Sequence, residues 1–403
     1  MTRALSRRAL LTGAAGTATA AALGTTRGVT AQGPETTTSP GPPSSELGRR
    51  SPHVQLRRGR TPRGTSSRTP LQDLHGTLTP ADLHFERHHA GIPDVDPDSY
   101  QLLIHGMVEH PIVFTLDDLK RFPAVSRVFF LECSGNFMGR NAGPETTPQD
   151  ICGMTSQSEW TGVPLGTLLR EAGSDQNATW LLAEGQDAAV MTRSIPIYKA
   201  WDDAMVAYAQ NGEPLRPAQG YPARLFLPGW EGNANVKWLR RIEVADRPFM
   251  TREETSKYTD PLPNGTARQF SFEFDARSII TTPVYPNLVQ PGWVEIRGIA
   301  WSGRGKISRV DVSTDGGSTW EPSRLQEPVL SKAHVRFRHL WKWNGSETTI
   351  MSRATDETGY IQPSRQALLE ARGRRAKSYH LNPITGWVIR SSGQVFYREE
   401  PRW

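Results

Sequence analysis

Cys133 is the residue of this 403-residue chain whose position most clearly suggests chemistry. It follows an apolar, β-forming run at residues 127–131 and precedes Ser134-Gly135-Asn136, so the pattern predicts a strand that delivers a thiol into a turn. A cysteine in such a place is more often an inert buried side chain than a ligand. A thiolate near several fixed cations, however, suits a soft, high-valent metal carried on an anionic cofactor and acting on an anionic substrate. The cations of the same region are Arg87, Arg224, Lys237, Arg240 and Arg241.

His84 and His88 form a second candidate site. On a helix their spacing would place both imidazoles on one face, where they could bind zinc or copper. Pro80 and the nearby Gly91-Ile92-Pro93 favour a loop instead, and no further ligand is obvious nearby. A metal held by this pair is therefore the weaker hypothesis.

The elements that position these residues are a mixture of helices and strands. Residues 115–119 predict a short helix capped by Thr115, and residues 164–172 predict another that ends at Gly173. Residues 179–183 and 223–227 are typical of strands. We therefore expect an α+β catalytic domain over residues 73–262.

The pattern changes after residue 262. Apolar and polar residues alternate with period two in four segments, at residues 269–274, 294–299, 310–314 and 335–341. Short alternating strands separated by turns predict an all-β sandwich over residues 263–403. Its tryptophans are most simply core or subunit-interface residues.

The N-terminus predicts an export signal followed by a linker. Arg7-Arg8 precede an apolar, alanine-rich run to Leu23, and Val29-Thr30-Ala31 supplies small residues for cleavage, so residues 1–31 are interpreted as a twin-arginine signal peptide. Residues 32–72 are rich in Pro, Ser, Thr, Gly and Arg and predict a disordered linker. We expect a periplasmic or otherwise exported protein, with no membrane span after cleavage. The twin-arginine route carries proteins that are already folded, often with a cofactor inserted, so this signal favours a protein with a bound cofactor.

Charge and cysteine content exclude several classes of protein. The formal charge is +6, but the first 72 residues hold eleven arginines and two acids, so they carry +9 and leave −3 on the remainder. The folded part therefore lacks the net positive charge that is typical of a nucleic-acid-binding protein. Cys133 and Cys152 are the only cysteines, which excludes a disulfide framework, a four-cysteine zinc site and covalently attached c-type haem. Cys152 is expected to be a packed small side chain.

Several segments, in this order along the chain, resemble the motifs of the sulfite oxidase family of molybdenum enzymes. They are Phe85-Glu86-Arg87-His88-His89, Phe130-Leu131-Glu132-Cys133-Ser134-Gly135-Asn136, Tyr221-Pro222-Ala223-Arg224, Val236-Lys237-Trp238-Leu239 and Lys257-Tyr258. The β-rich tail at residues 263–403 resembles that family's immunoglobulin-like dimerisation domain, and residues 73–262 resemble its molybdopterin-binding catalytic domain. The likeness covers about residues 71–403 and implies a molybdenum–molybdopterin cofactor and a homodimer.

The resemblance also implies a role for each matched residue. Cys133 matches the cysteine that binds molybdenum, and Arg87 matches the arginine that faces the substrate oxyanion. Tyr258 matches the tyrosine near the metal. The cofactor-binding matches are His89, which contacts the pterin, and Arg224 and Lys237, which hold its phosphate.

Some positions depart from the animal enzymes of the family. Met138 occupies the place of an arginine, with Arg140 two residues further on, and Gln219 replaces a histidine. A pocket tryptophan has no counterpart at residues 149–152. Together with Glu132 and Ser134, these differences resemble the sulfane dehydrogenase branch of the family, which oxidises sulfur bound to a carrier protein.

The implied reaction is oxygen transfer to reduced sulfur, after which two electrons pass to a separate c-type cytochrome. The missing haem motif agrees with such a partner. A simple dehydrogenase of free sulfite is the nearest alternative, and a nitrate reductase is a weaker one. A non-catalytic exported protein that binds ligands through the sandwich, with Cys133 merely buried, is the alternative from a different class.

Overall fold

The computed structural model describes residues 41, 43–137, 139, 142–373 and 379–398. The chain divides into two compact units, residues 1–54 and residues 55–403. The described residues of the first unit form only turns, bends and irregular structure. All described helices and strands belong to the second unit.

The α-helices are α1 Leu116–Arg121, α2 Pro148–Cys152, α3 Leu165–Glu171, α4 Tyr198–Asp202 and α5 Arg365–Arg372. The strands of the first half are β1 Gly59–Arg60, β2 Ser66–Arg68, β3 Glu86–Arg87, β4 Leu102–Gly106, β5 Ile112–Phe114, β6 Val125–Glu132, β7 Thr155–Pro164, β8 Trp180–Gly185, β9 Thr192–Pro196, β10 Met205–Gln210, β11 Glu213–Pro214, β12 Arg224–Phe226, β13 Leu239–Ala245, β14 Asp260–Pro261 and β15 Ala267–Arg268. The strands of the second half are β16 Arg277–Thr282, β17 Gly292–Trp301, β18 Ile307–Ser313, β19 Glu321–Pro322, β20 Arg324–Leu325, β21 Val335–Trp343, β22 Thr348–Asp356, β23 Gly386–Ile389 and β24 Val395–Tyr397. Short 3-10 turns lie at Leu71–Asp73, Ala81–Leu83 and Pro217–Gln219, and a π-helical turn lies at Glu253–Lys257.

The first half confirms the predicted α+β architecture. One five-stranded sheet runs β11-β10-β7-β6 with β12 also on β10, and a second runs β5-β4-β13-β8-β9. Thr115 caps α1 by accepting a hydrogen bond from the Asp118 amide at 3.1 Å. Gly173, with φ +66°, follows the last turn of α3, as the sequence predicts.

The second half is the predicted β-sandwich. Its sheets run β16-β17-β21-β20 and β19-β18-β22-β23-β24. The apolar face of each enters one core, which includes the fully buried Trp301, Phe337 and Trp387. Cys152 joins this core, 2% exposed, which agrees with the expected packed side chain. The predicted domain boundary at 262/263 falls in the turn of the β14–β15 hairpin and stays a prediction.

One predicted strand, at residues 269–274, is wrong. The segment pairs only at an isolated bridge between Glu273 and Trp230, and Phe270 has a positive φ of +57°, which lies outside the β region. Its alternation instead reflects aromatic packing, since Phe272 stacks on Trp230 with ring centroids 4.3 Å apart and Phe270 lies 5.0 Å from Trp180. Burial of alternate aromatic side chains along an irregular segment produces the same sequence pattern as a strand.

The prediction of a disordered linker over residues 32–72 is wrong for its C-terminal part. Residues 59–68 form β1 and β2, which continue into β3 as a three-stranded sheet. The Thr69 amide donates to the Gly153 carbonyl at 2.7 Å, and Arg68 donates to the Asp150 carbonyl at 3.0 Å. Hydrogen bonds to distant backbone therefore order a segment whose composition offers little apolar surface. The predicted signal peptide at residues 1–31 lies outside the described residues.

Within the described part of the chain, no helix combines the length and the apolar character needed to cross a bilayer.

Candidate functional site

A cavity of about 300 Å³ brings together all six residues matched to the family's site. Its lining includes Arg87, His89, Cys133, Arg224, Lys237 and Tyr258. The other two candidate cations, Arg240 and Arg241, are not part of this lining. Both donate to the Glu184 carboxylate at 2.7 Å, so their guanidinium groups are engaged outside the cavity. Lys237 precedes β13, whereas Arg240 and Arg241 lie on that strand, so nearness in sequence alone did not identify the cations of the cavity.

Cys133 follows β6, and its backbone is held on both sides. Its amide donates to the Met154 carbonyl at 3.0 Å, and its carbonyl accepts from the Asn136 amide at 2.9 Å. Burial raises the pKa of the Cys133 thiol, and the nearby Arg87 only partly opposes this effect. The side chain is therefore a protonated thiol at neutral pH.

Arg87 and the histidines after it come from β3 and the loop that follows. The Arg87 guanidinium donates to the His88 carbonyl. Burial, reinforced by Lys237 and Arg87, lowers the pKa of His88 to about 3, and burial together with Arg87 lowers that of His89 to about 4. Both imidazoles are neutral at neutral pH, so the positive charge of this side of the cavity resides on Arg87.

The alternative metal site at His84 and His88 is not supported. The Lys237 ammonium lies 2.8 Å from His88 Nδ1, and His88 Nε2 lies 3.3 Å from Glu86. A cation on one ring nitrogen opposes metal binding there. Among the described residues, no three His, Cys, Asp or Glu side chains are grouped as a metal site.

Arg224 is a buried cation and Lys237 is a partly buried one, and neither has a carboxylate partner among the described residues. Arg224, 1% exposed, donates to the carbonyls of Gln219 and Asn235 at 3.0 and 2.9 Å, and its Nε has no partner in the described part of the chain. Lys237 donates to the carbonyls of Arg87 and Ala218 at 3.1 and 3.0 Å. Burial lowers the pKa of Arg224 to about 9 and also lowers that of Lys237. Two desolvated charges of the same sign favour a bound anion.

Tyr258 closes another side of the cavity. Its hydroxyl lies 3.2 Å from His89 Nε2, and its ring lies 5.2 Å from the guanidinium of the buried Arg193. Burial raises the pKa of the phenol, which therefore stays protonated at neutral pH. It can donate a hydrogen bond to a group bound between it and Cys133.

Several lining residues were not identified from the sequence. Asp187, Asn233 and Tyr379 contribute to the wall, and Asn233 Oδ1 is buried without a partner among the described residues. Gly220, with φ +107°, lies behind the cations, where an added Cβ would be 3.0 Å from Lys237 Cβ. The glycine- and asparagine-rich loop at residues 229–235 was the one available signal for Asn233.

Only some of the positions that differ from the animal enzymes fall within the described residues. Met138 and Arg140 lie outside the described residues. Gln149 does not line the cavity, because its amide donates to the carbonyl of Arg68 at 2.8 Å. Gln219 does line it and donates to the Phe85 carbonyl at 2.9 Å.

The donor set fits an anionic, metal-carrying cofactor. Arg224, Lys237 and the Cys133 thiol line one cavity, and among the described residues Arg224 Nε and Asn233 Oδ1 have no hydrogen-bond partner. A phosphate would satisfy the cations, and a soft metal would take the sulfur. The geometry thus agrees with the six predicted site residues, whose individual roles stay predictions.

Two family profiles match this chain. Residues 89–253 match the oxidoreductase molybdopterin-binding domain, and residues 268–386 match the Mo-co oxidoreductase dimerisation domain. The second match supports the predicted homodimer.

Characterised proteins resemble the chain over most of its length. It is 32% identical over 332 residues to sulfite oxidase of Gallus gallus, covering 75% of this chain and 72% of that protein. It is 32% identical over 355 residues to a nitrate reductase of Solanum lycopersicum, covering 74% of this chain but only 38% of that protein. The solved structure of the sulfane dehydrogenase SoxCD from Paracoccus pantotrophus matches with 43% identity and a TM-score of 0.82, covering 89% of this chain and 96% of that one.

Proposed function

This chain belongs to the sulfite oxidase family of molybdenum-cofactor oxidoreductases, and on that premise we propose that it oxidises carrier-bound sulfane sulfur and passes the electrons to a c-type cytochrome. The observation that carries the proposal is the likeness to sulfane dehydrogenase, at 43% identity over 89% of the chain. The likeness to the animal sulfite oxidase is lower, at 32% identity over 75% of the chain. The latter relationship keeps free sulfite as the second candidate substrate.

Some of the cavity residues contact the cofactor and others contact the substrate. When bound, the molybdenum cofactor supplies oxygen-atom transfer and accepts two electrons. Arg224 and Lys237 bind its anionic end, and the Cys133 sulfur holds the metal. Arg87 offers a planar guanidinium to an anionic sulfur group and to the oxygens that it carries or gains on oxidation, and Tyr258 holds a proton on its hydroxyl as a hydrogen-bond donor.

A substrate comparison tests the proposed activity. With purified holoenzyme and its cytochrome partner, carrier-bound sulfane sulfur is expected to reduce cytochrome c at least about ten times faster than free sulfite, because binding to the carrier adds interactions that sulfite lacks. Cytochrome reduction is followed by absorbance. Equal or faster reduction by sulfite without a carrier would assign the chain as a simple sulfite dehydrogenase. Reduction by neither compound would contradict both candidates.

We further propose that the chain is exported by the twin-arginine route. The proposal is supported by Arg7-Arg8 and the weakly apolar run that follows them. Replacing both residues in the variant Arg7→Lys/Arg8→Lys is expected to retain the protein in the cytoplasm, whereas the unaltered chain reaches the periplasm. Immunoblots of the two fractions measure this. Equal export of both chains would exclude the route.

A further inference from the structure

The loop that carries Cys133 is held from outside its own domain. Both sequence neighbours of the cysteine, Glu132 and Ser134, are hydrogen-bonded to residues of the predicted C-terminal domain. A domain matched to dimerisation therefore also contacts the cavity loop directly.

Glu132 is the centre of the first set of contacts. Its carboxylate is 1% exposed and accepts hydrogen bonds from Arg277 at 2.5 Å, from Trp301 Nε1 at 2.6 Å and from Asn136 Nδ2 at 3.0 Å. Arg277 also donates to the Asn136 carbonyl at 2.8 Å. A buried carboxylate with three donors has one orientation of low energy.

Arg277 and Trp301, the two donors from the sandwich, are neighbours because their strands pair. Arg277 begins β16, Trp301 ends β17, and the two residues are directly opposed in the antiparallel register. Both side chains therefore leave the same end of the sheet and meet the Cys133 loop together. The guanidinium lies 5.8 Å from the Trp301 ring, which adds a cation–π contact between them.

Ser134 is held from the other side. Its carbonyl accepts from the His380 amide at 2.9 Å, and its hydroxyl accepts from Asn233 Nδ2 at 3.1 Å. His380 Nε2 lies 3.0 Å from the buried Glu231, which fixes the imidazole. Cys133 thus lies between two anchored residues.

We propose that Glu132, held by Arg277 and Trp301, is a positioning residue that fixes the direction of the Cys133 side chain toward the metal. The C-terminal sandwich thereby forms part of the outer support of the metal centre. This inference rests on the role of Cys133 as the metal ligand. Outer partners that orient a ligand commonly change metal affinity or activity 10- to 100-fold when they are removed.

The test compares two tryptophan substitutions in the holoenzyme. Trp301→Phe removes one donor to Glu132, and Trp343→Phe removes a comparable buried donor, which binds the Ser346 carbonyl at 2.8 Å away from the cavity. The measurements are molybdenum content, the thiolate-to-metal charge-transfer absorption, and kcat and KM with whichever of sulfite or carrier-bound sulfur the unaltered enzyme oxidises.

Trp301→Phe is expected to retain most of its molybdenum, to shift the charge-transfer absorption and to lower kcat about tenfold with little change in KM. Trp343→Phe is expected to change neither the absorption nor kcat, although it also destabilises the sandwich. Equal absorption and kcat in the two variants would overturn the proposal. If the unaltered holoenzyme has no such absorption, the assignment of Cys133 as ligand fails instead.

A second pair of variants covers the case in which Trp301→Phe does not fold. Arg277→Lys keeps a cationic donor for Glu132, and Arg277→Met removes it. The lysine variant is expected to keep the absorption closer to that of the unaltered enzyme than the methionine variant does. Identical spectra from both would show that the contact is only structural.

Discussion

Replacement of Cys133 by serine is expected to lower turnover by more than about 100-fold while the fold remains intact. A hydroxyl is a harder and far less acidic ligand than a thiol, so the metal loses its soft anionic donor from the protein. Loss of outer partners alone commonly costs 10- to 100-fold, and loss of the ligand itself should exceed that range. Steady-state turnover, the charge-transfer absorption and molybdenum content measure the effect.

Cys152→Ser provides the matched control. Cys152 is 2% exposed in the sandwich core and outside the cavity, and burial raises the pKa of its thiol to about 11. Burying a hydroxyl there should lower the free energy of unfolding by about 1–3 kcal/mol with turnover nearly unchanged. Turnover retained in Cys133→Ser, or lost equally in both variants, would refute the role given to Cys133.

Replacement of Arg87 by glutamine is expected to raise KM for the sulfur substrate about 10- to 100-fold. A hydrogen bond to a charged group contributes about 1.5–3 kcal/mol, and about 1.4 kcal/mol corresponds to a tenfold change. Arg87 lies in the cavity with no carboxylate partner among the described residues, so its charge is available to an anionic sulfur substrate. Initial rates over a range of substrate concentrations give the change.

Arg240→Gln is the control for charge alone. Arg240 is bound to Glu184 outside the cavity lining, so its loss changes the net charge equally without touching the site. KM should stay within about twofold of the unaltered value, because an exposed ion pair contributes little free energy. Similar KM values for the two variants would indicate that Arg87 acts only through the overall field.

The local elements were predictable because their signals are local. Thr115 caps α1 through an amide three residues away, and the alternation of β17 and β21 follows from one buried face of a sheet. The family motifs identified six residues that the fold brings into one cavity. Their spacing along the chain, from residue 87 to residue 258, carries no such information without the resemblance.

The sequence by itself determined the two kinds of domain, the short helices, most strands and the residues matched to the site. Only the tertiary structure decided which cations face the cavity, because Arg240 and Arg241 lie close in sequence to Lys237 but bind Glu184. Only the tertiary structure placed Arg277 and Trp301 on Glu132, across 145 and 169 residues of sequence. Such contacts depend on the packing of one end of a sheet against a loop of another domain. Neither local periodicity nor motif spacing in the sequence predicts which residues touch there.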